Sequence, residues 1–198
     1  MRTSATPIGV ILAGGLGRRM GGAKATAELR GRPLIDYPLQ ALRAALGDVA
    51  IVAKADSELP HLPGVTVWTE PSAPSHPLVG IVHALGLAGN GRPILVCAAD
   101  MPFVPPALVT RIAATDPAGA PAVVPTCNGE LQPLLALYLP AATAALARVV
   151  AAEGPLRSEV AAIGPRVLEV EDRSAFFNVN TPEDLLVAEA ILDRGRRR

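Results

Sequence analysis

Short apolar runs of strand length recur along the chain, with helix-like segments between them. The runs Ile8–Ala13, Val49–Ala53, Val65–Trp68, Ile94–Ala98, Ala122–Val124, Leu134–Tyr138 and Val167–Val170 predict strands. Most are apolar at consecutive positions, which suits a sheet covered on both faces. Helices are predicted over Pro33–Leu46, Val79–Ala88, Pro106–Ala114, Ala141–Ala152 and Pro182–Asp193. Pro33 and Pro106 suit a first helical turn, and Thr181-Pro182-Glu183-Asp184 reads as an N-cap followed by proline and two acids. Strands alternating with helices predict an α/β fold with a mostly parallel sheet and right-handed crossovers. Asn128-Gly129 lies between two apolar runs and signals a hairpin, so one antiparallel excursion is expected there. Neither repeats nor linkers interrupt the pattern. One domain is therefore expected over residues 1–198, its core at about 8–192, with a solvated basic tail at Arg194–Arg198.

Composition narrows the classes. Half of the chain is hydrophobic, enough for a sizeable core. Lys and Arg total 18 and Asp and Glu total 18, which argues against a protein held on nucleic acid by bulk positive charge. The shortage of aromatic residues, 3% of the chain, disfavours base-stacking platforms. No membrane partner is expected: the charge-free stretch Leu131–Ala147 carries Pro133 and Pro140, and a span needs ~20 apolar residues. Ile8–Ala13 is short for a secretory signal, and a glycine pair and an arginine pair follow it at once. Two cysteines, Cys97 and Cys127, do not make a disulfide framework, so a cytoplasmic location is expected.

Three stretches carry candidate chemistry. The first is Leu12-Ala13-Gly14-Gly15-Leu16-Gly17-Arg18-Arg19-Met20-Gly21-Gly22-Ala23-Lys24. A glycine-rich loop directly after a strand lets backbone N–H groups wrap phosphates, and Arg18, Arg19 and Lys24 add cations. The dinucleotide fingerprint G-x-G-x-x-G fails, because Met20 takes the sixth place from Gly15. The P-loop fails as well, because Ala23 separates Gly22 from Lys24. A phosphate loop of another kind remains; an ordinary glycine turn would not need five glycines and three cations in eleven residues. The second stretch is Ile94–Phe103, where Asp100 follows a buried strand and Pro102 follows closely. Ligands of open α/β sheets lie off the carboxyl ends of the strands, so Asp100 either holds Mg²⁺ bridging phosphates or caps the next turn. In the third stretch, Phe176–Leu185, Asn178 and Asn180 share a side if the chain is extended. Their amides either face a ligand or close a turn.

In this order and spacing the segments resemble nucleotidyltransferases of the sugar-nucleotide type, and among them the MobA-type molybdenum cofactor guanylyltransferase family. The opening Leu12–Lys24 motif with Gly31–Leu34, then Pro77-Leu78-Val79-Gly80, Asp100-Met101-Pro102 and Asn178-Val179-Asn180-Thr181-Pro182-Glu183 carry the resemblance. It implies a three-layer, Rossmann-like α/β fold of the nucleotide-diphospho-sugar transferase kind. It also implies transfer of GMP from GTP to molybdenum-bound molybdopterin with release of pyrophosphate. Leu12, Ala13, Gly14, Gly15 and Glu70 would then contact the nucleotide, Lys24 with Arg18 and Arg19 would neutralise phosphate, and Asp100 would bind the Mg²⁺ cofactor. Asn178 and Asn180 would contact substrate. Molybdoenzymes or proteins that handle the cofactor are the implied protein partners. The chain departs from the family pattern at four places. Ala23 stands where an Asp often precedes the lysine, and Glu70 replaces an Asp. His76 replaces the glycine before Pro-Leu-Ala-Gly, and no Asn follows the second strand around Val52-Ala53-Lys54. Two other readings stay open: a nucleotidyltransferase using CTP or another NTP on a pterin, sugar-phosphate or lipid-precursor phosphate, and a nucleotide-binding adaptor without turnover. Lys24 and Asp100 argue against the adaptor. The roles of His61, His76 and His83 are not fixed by sequence, although His76 falls where a loop can close over substrate.

Overall fold

A computed structural model of the protein describes residues 6–14, 27–150 and 154–195. Eight strands form one sheet: β1 (Ile8–Leu12), β2 (Val49–Ala53), β3 (Thr66–Thr69), β4 (Ile94–Ala98), β5 (Ala122–Cys127), β6 (Glu130–Leu131), β7 (Leu135–Tyr138) and β8 (Arg166–Glu169). The order is β3-β2-β1-β4-β7-β5-β6, with β8 also paired to β5. Pairs β1–β2, β1–β4, β2–β3 and β5–β8 are parallel. β7 runs antiparallel to both of its neighbours, β4 and β5. The helices are α1 (Asp36–Leu46), α2 (Pro77–Leu87), α3 (Pro106–Ala114), α4 (Thr143–Val150), α5 (Leu156–Ala162) and α6 (Pro182–Gly195).

Consecutive apolar residues in the central strands point to opposite faces and are buried on both. Ile11, Ile51, Leu95 and Cys97 pack on one side with Leu42 of α1 and Val109 and Ile112 of α3. Val10, Val52, Val96 and Ala136 pack on the other with Leu78 and Ile81 of α2, Leu146 of α4 and Val160 of α5. The result is the expected three layers, helix–sheet–helix. A smaller cluster, Leu29, Leu34, Val179 and Ala188, fastens α6 to the chain before α1.

Several element boundaries and one strand pairing differ from the sequence expectation. Pro33 is not in the first helical turn. It pairs with Glu28 in an antiparallel bridge, closed by Arg30 and Gly31 at positive φ, and α1 begins three residues later. The region expected as one helix over 141–152 starts as a 3-10 turn at Pro140–Ala142 and continues as α4. α5 was not expected. It is seven residues long, buries only Val160, and follows Gly154-Pro155, so its apolar signal is weak. The Asn128-Gly129 turn has both residues at positive φ, as a tight hairpin needs, but its second strand is the two-residue β6. The apolar run beyond it passes over and wedges between β4 and β5 as β7.

Candidate active site

The carboxyl ends of β1, β2 and β4 open onto a cleft of about 470 Å³. Parallel strands β1 and β4 are neighbours, so Leu12, Ala13 and Gly14 after β1 lie beside Ala98, Ala99 and Asp100 after β4, and all six line the cleft. Backbone hydrogen bonds hold the rim: Ala13 N–H donates to Val52 at 2.8 Å and Ala99 N–H to Leu12 at 3.1 Å. Gly15, Arg18, Arg19 and Lys24 lie outside the described residues.

Asp100 receives the third stretch through its backbone. Val179 N–H donates to the Asp100 carbonyl at 2.9 Å, which docks the Asn178–Asn180 segment at the end of β4. Both asparagines line the cleft. Asn178 Nδ2 donates to Phe176 O at 2.9 Å, which fixes its amide plane and leaves its Oδ1 directed elsewhere. Asn180 is anchored by the helix-start chemistry that follows it. Its N–H and that of Thr181 donate to Asp184 Oδ2 at 2.9 and 3.0 Å, and Asp184 N–H donates back to Thr181 Oγ1 at 3.1 Å. That reciprocal pattern is a capping box at the start of α6. Burial pushes the Cys97 thiol up, and the Asp100 carboxylate adds to the shift.

Glu70, Lys54, Ser75 and His76 also line the cleft. Glu70 N–H donates to Ala53 O at 2.9 Å, continuing the β2–β3 ladder past the strand end. Its carboxylate lies between two glycines. A Cβ on Gly14 would overlap it, and a Cβ on Gly80 would come within 2.6 Å of Oε2. A side chain at either place would push the Glu70 carboxylate from its present position. Partial burial raises the Glu70 pKa above the ordinary carboxylate value, and the nearby Lys54 ammonium opposes the shift. Lys54 Nζ donates to Ser72 O at 3.1 Å and to Ser75 Oγ at 3.3 Å. His76 caps α2: Leu78 N–H donates to its Nδ1 at 3.2 Å, with Pro77 in the first turn.

A second hollow of about 300 Å³ adjoins the cleft, and Leu134 and Asn178 wall both. Met101, Gln132 and Arg157 contribute to its remaining lining, together with prolines and leucines. Sequence reading passed over Lys54, Ser75, Gln132 and Arg157. Lys54 had a usable signal, its place just after β2 at the carboxyl edge of the sheet. Gln132 and Arg157 reach the hollow only because β7 and α5 pack where they do.

A family model described as the MobA-like NTP transferase domain matches residues 9–167. The chain belongs to this family. It is 36% identical to the molybdenum cofactor guanylyltransferase of Acidiphilium cryptum, over 91% of this chain and 93% of the relative. In structure it resembles the molybdopterin-guanine dinucleotide biosynthesis protein A of Archaeoglobus fulgidus, with a TM-score of 0.73 and 25% identity, covering 94% of this chain and 98% of that one. It also shares its fold with a Mycobacterium tuberculosis protein solved as a complex with manganese, at a TM-score of 0.74 and 20% identity, covering 95% of this chain and 100% of that one. Among the described residues no helix is long and apolar enough to cross a membrane.

Proposed function

We infer that the protein is a guanylyltransferase that moves GMP from GTP to the terminal phosphate of molybdenum-bound molybdopterin, releasing pyrophosphate. The observation that carries this reading is the pairing of two compartments at one sheet edge. Asp100 and the glycine rim bound the larger, the second hollow adjoins it, and Asn178 stands in both walls. A nucleotide fits the first compartment. A pterin, a planar heteroaromatic ring with hydrogen-bonding edges, fits the second, where its faces meet apolar side chains and its edges meet Gln132 and Arg157.

In the larger compartment the base rests against Glu70 and Lys54. Guanine presents O6 as an acceptor beside the N1–H and N2–H donors. The ionised Glu70 accepts from the two N–H groups and Lys54 donates to O6. Adenine and cytosine turn an unprotonated ring nitrogen toward a carboxylate, which leaves a buried acceptor unpaired and rejects them. Lys54 thus takes up the base-reading place for which no Asn is present.

The donor set at the cleft floor suits Mg²⁺. The Asp100 carboxylate is a hard oxygen ligand, and among the described residues no group of three or more His, Cys, Asp and Glu exists that would cage an ion by itself. Magnesium rests typically on one or two carboxylates, with phosphates and water completing its shell. Bound there, it supplies charge neutralisation across the phosphates. Asp100 would hold it, and Lys24 with Arg18 and Arg19 would offset the remaining phosphate charge from the glycine loop. An oxygen of the pterin phosphate forms the new bond to the α-phosphorus of GTP. The bond from that phosphorus to the bridging oxygen of the β-phosphate breaks, and pyrophosphate leaves with the electron pair. The attacking phosphate is already anionic, so no protein base is needed. The roles of the chain are to align the two phosphates and to stabilise charge on the transferring group.

The test is pyrophosphate release from GTP, ATP, CTP and UTP, each with molybdenum-loaded molybdopterin and Mg²⁺. Release with GTP well above the other three is expected. Equal release with all four, or a preference for CTP, refutes the guanylyl reading.

A further inference from the structure

His76 joins the two compartments. Its Nδ1 accepts the Leu78 N–H at 3.2 Å and so caps α2 on the nucleotide side. Its Nε2 lies 3.1 Å from the carbonyl oxygen of Gly154, 78 residues further along the chain. A carbonyl only accepts, so Nε2 carries the proton and the ring is the neutral Nε2–H tautomer, with both nitrogens engaged. The residues just after Gly154, namely Pro155, Leu156 and Arg157, wall the second hollow, while His76 itself lines the main cleft. The Glu159 carboxylate, in the first turn of α5, lies against Gly154. A Cβ at position 154 would overlap the Glu159 carboxylate. One imidazole therefore fixes the start of a helix in the nucleotide wall and the entry to a helix in the adjoining wall.

We propose that His76 is a positioning residue for the acceptor: through Gly154 it sets the place of the Pro155–Arg157 wall, and thereby the seat of the pterin substrate, against a nucleotide wall it also caps. The proposal rests on the two-substrate reading above. Its physical basis is that the other contacts at the α5 entry are modest: Leu156 packs only partly buried against the core, and Glu159 N–H donates to Pro155 O at 3.1 Å within the first turn. α5 has seven residues and one fully buried side chain, Val160, and the Arg157–Glu130 ion pair at 3.0 Å is solvent-exposed on both sides. Exposed pairs of this kind hold geometry weakly. A hydrogen bond from a ring that is itself fixed by a helix cap is a firmer tether, since less freedom is lost in making it.

The two bonds can be separated. His76→Asn keeps an N-cap acceptor for Leu78 but is too short to reach Gly154; His76→Ala loses both. In His76→Asn we expect a folded protein whose thermal midpoint falls by no more than the loss of one hydrogen bond, and a GTP affinity by calorimetry that changes less than the acceptor KM. The KM for molybdenum-loaded molybdopterin should rise roughly tenfold, the loss of one useful hydrogen bond. By hydrogen exchange, amides in the first turn of α5 should exchange faster, with α2 amides unaltered. His76→Ala should add faster exchange at the start of α2. Unchanged exchange at α5 in His76→Asn overturns the tether, whether or not the enzyme accepts molybdopterin. Faster exchange at α5 with an unchanged acceptor KM, or with GTP affinity falling in step, overturns the positioning role. Absence of GMP transfer by the wild-type protein would instead strike the functional reading, and the exchange experiment would still decide the tether.

Discussion

At the scale of single residues, the cleft carries two carboxylates in different surroundings, Asp100 and Glu70. Asp100 stands at the end of a central buried strand, with the Asn178–Asn180 segment docked on its carbonyl. Asp100→Ala should leave folding intact and lower Mg²⁺-dependent transfer by about a hundredfold or more, the size of effect expected when a charge-stabilising group is lost. Calorimetric unfolding and a pyrophosphate assay together test this, and near-normal turnover in a folded variant removes Asp100 from the metal site. Glu70 makes a prediction with a sign. Burial raises its pKa in the folded protein and Lys54 only partly offsets that. Ionising Glu70 therefore costs stability: its contribution is most favourable below the pKa of the unfolded chain and is lost as pH rises through the raised folded pKa. On the proposed base-reading role binding runs the other way, because only a carboxylate would accept from guanine. GTP affinity should fall on acidification at a pH above the ordinary carboxylate range. Glu70→Gln should weaken GTP at neutral pH while leaving the thermal midpoint equal or higher. Calorimetry across pH checks both halves, and a flat affinity profile in the wild type would exclude Glu70 from base recognition.

Among the elements, α6 shows how local sequence serves the site. Thr181 and Asp184 exchange bonds across the first turn, and Asp184 also takes the N–H of Asn180. The cap that starts the helix thus immobilises an asparagine of the cleft. Thr181→Ala should cost about 1 kcal/mol, the usual value of an N-cap hydroxyl. Chemical denaturation gives the value, and a loss within experimental error would mean that Asp184 alone holds the turn. Glycine has a specific use in α2. Gly80 lies in a helix, where it is a poor choice by propensity, yet a Cβ there would press on Glu70 Oε2 and approach Leu12 at 3.1 Å.

For the whole molecule, the cleft is a junction of chain segments distant in sequence: the ends of β1, β2 and β4, the start of α2 and the approach to α6. Ligand that binds only this assembled form should stabilise the entire fold. GTP with Mg²⁺ at about a hundred times its Kd should add ~2.7 kcal/mol to unfolding free energy. Denaturation with and without nucleotide measures it, and Asp100→Ala should reduce the increment. No increment at saturating GTP would place the nucleotide elsewhere or nowhere on this chain.

Local pattern alone determined much of this protein. Consecutive apolar residues in β1, β2 and β4 must be buried on both sides, and that dictates a covered sheet with ligand at its carboxyl edge. A carboxylate just past β4 and a capped helix after Asn178–Asn180 were legible for the same reason, since each is set by neighbours in sequence. Tertiary structure decided the rest. No local signal distinguishes Leu135–Tyr138 as the next strand of the hairpin from Leu135–Tyr138 wedged between β4 and β5; the choice belongs to long-range pairing, where the run is buried on both faces. That choice carries Leu134 and Gln132 to the second hollow. The placing of Lys54 beside Glu70, and the bond from His76 to Gly154, likewise join residues that sequence spacing leaves unrelated, because side-chain partners across a sheet edge are selected by packing and not by period.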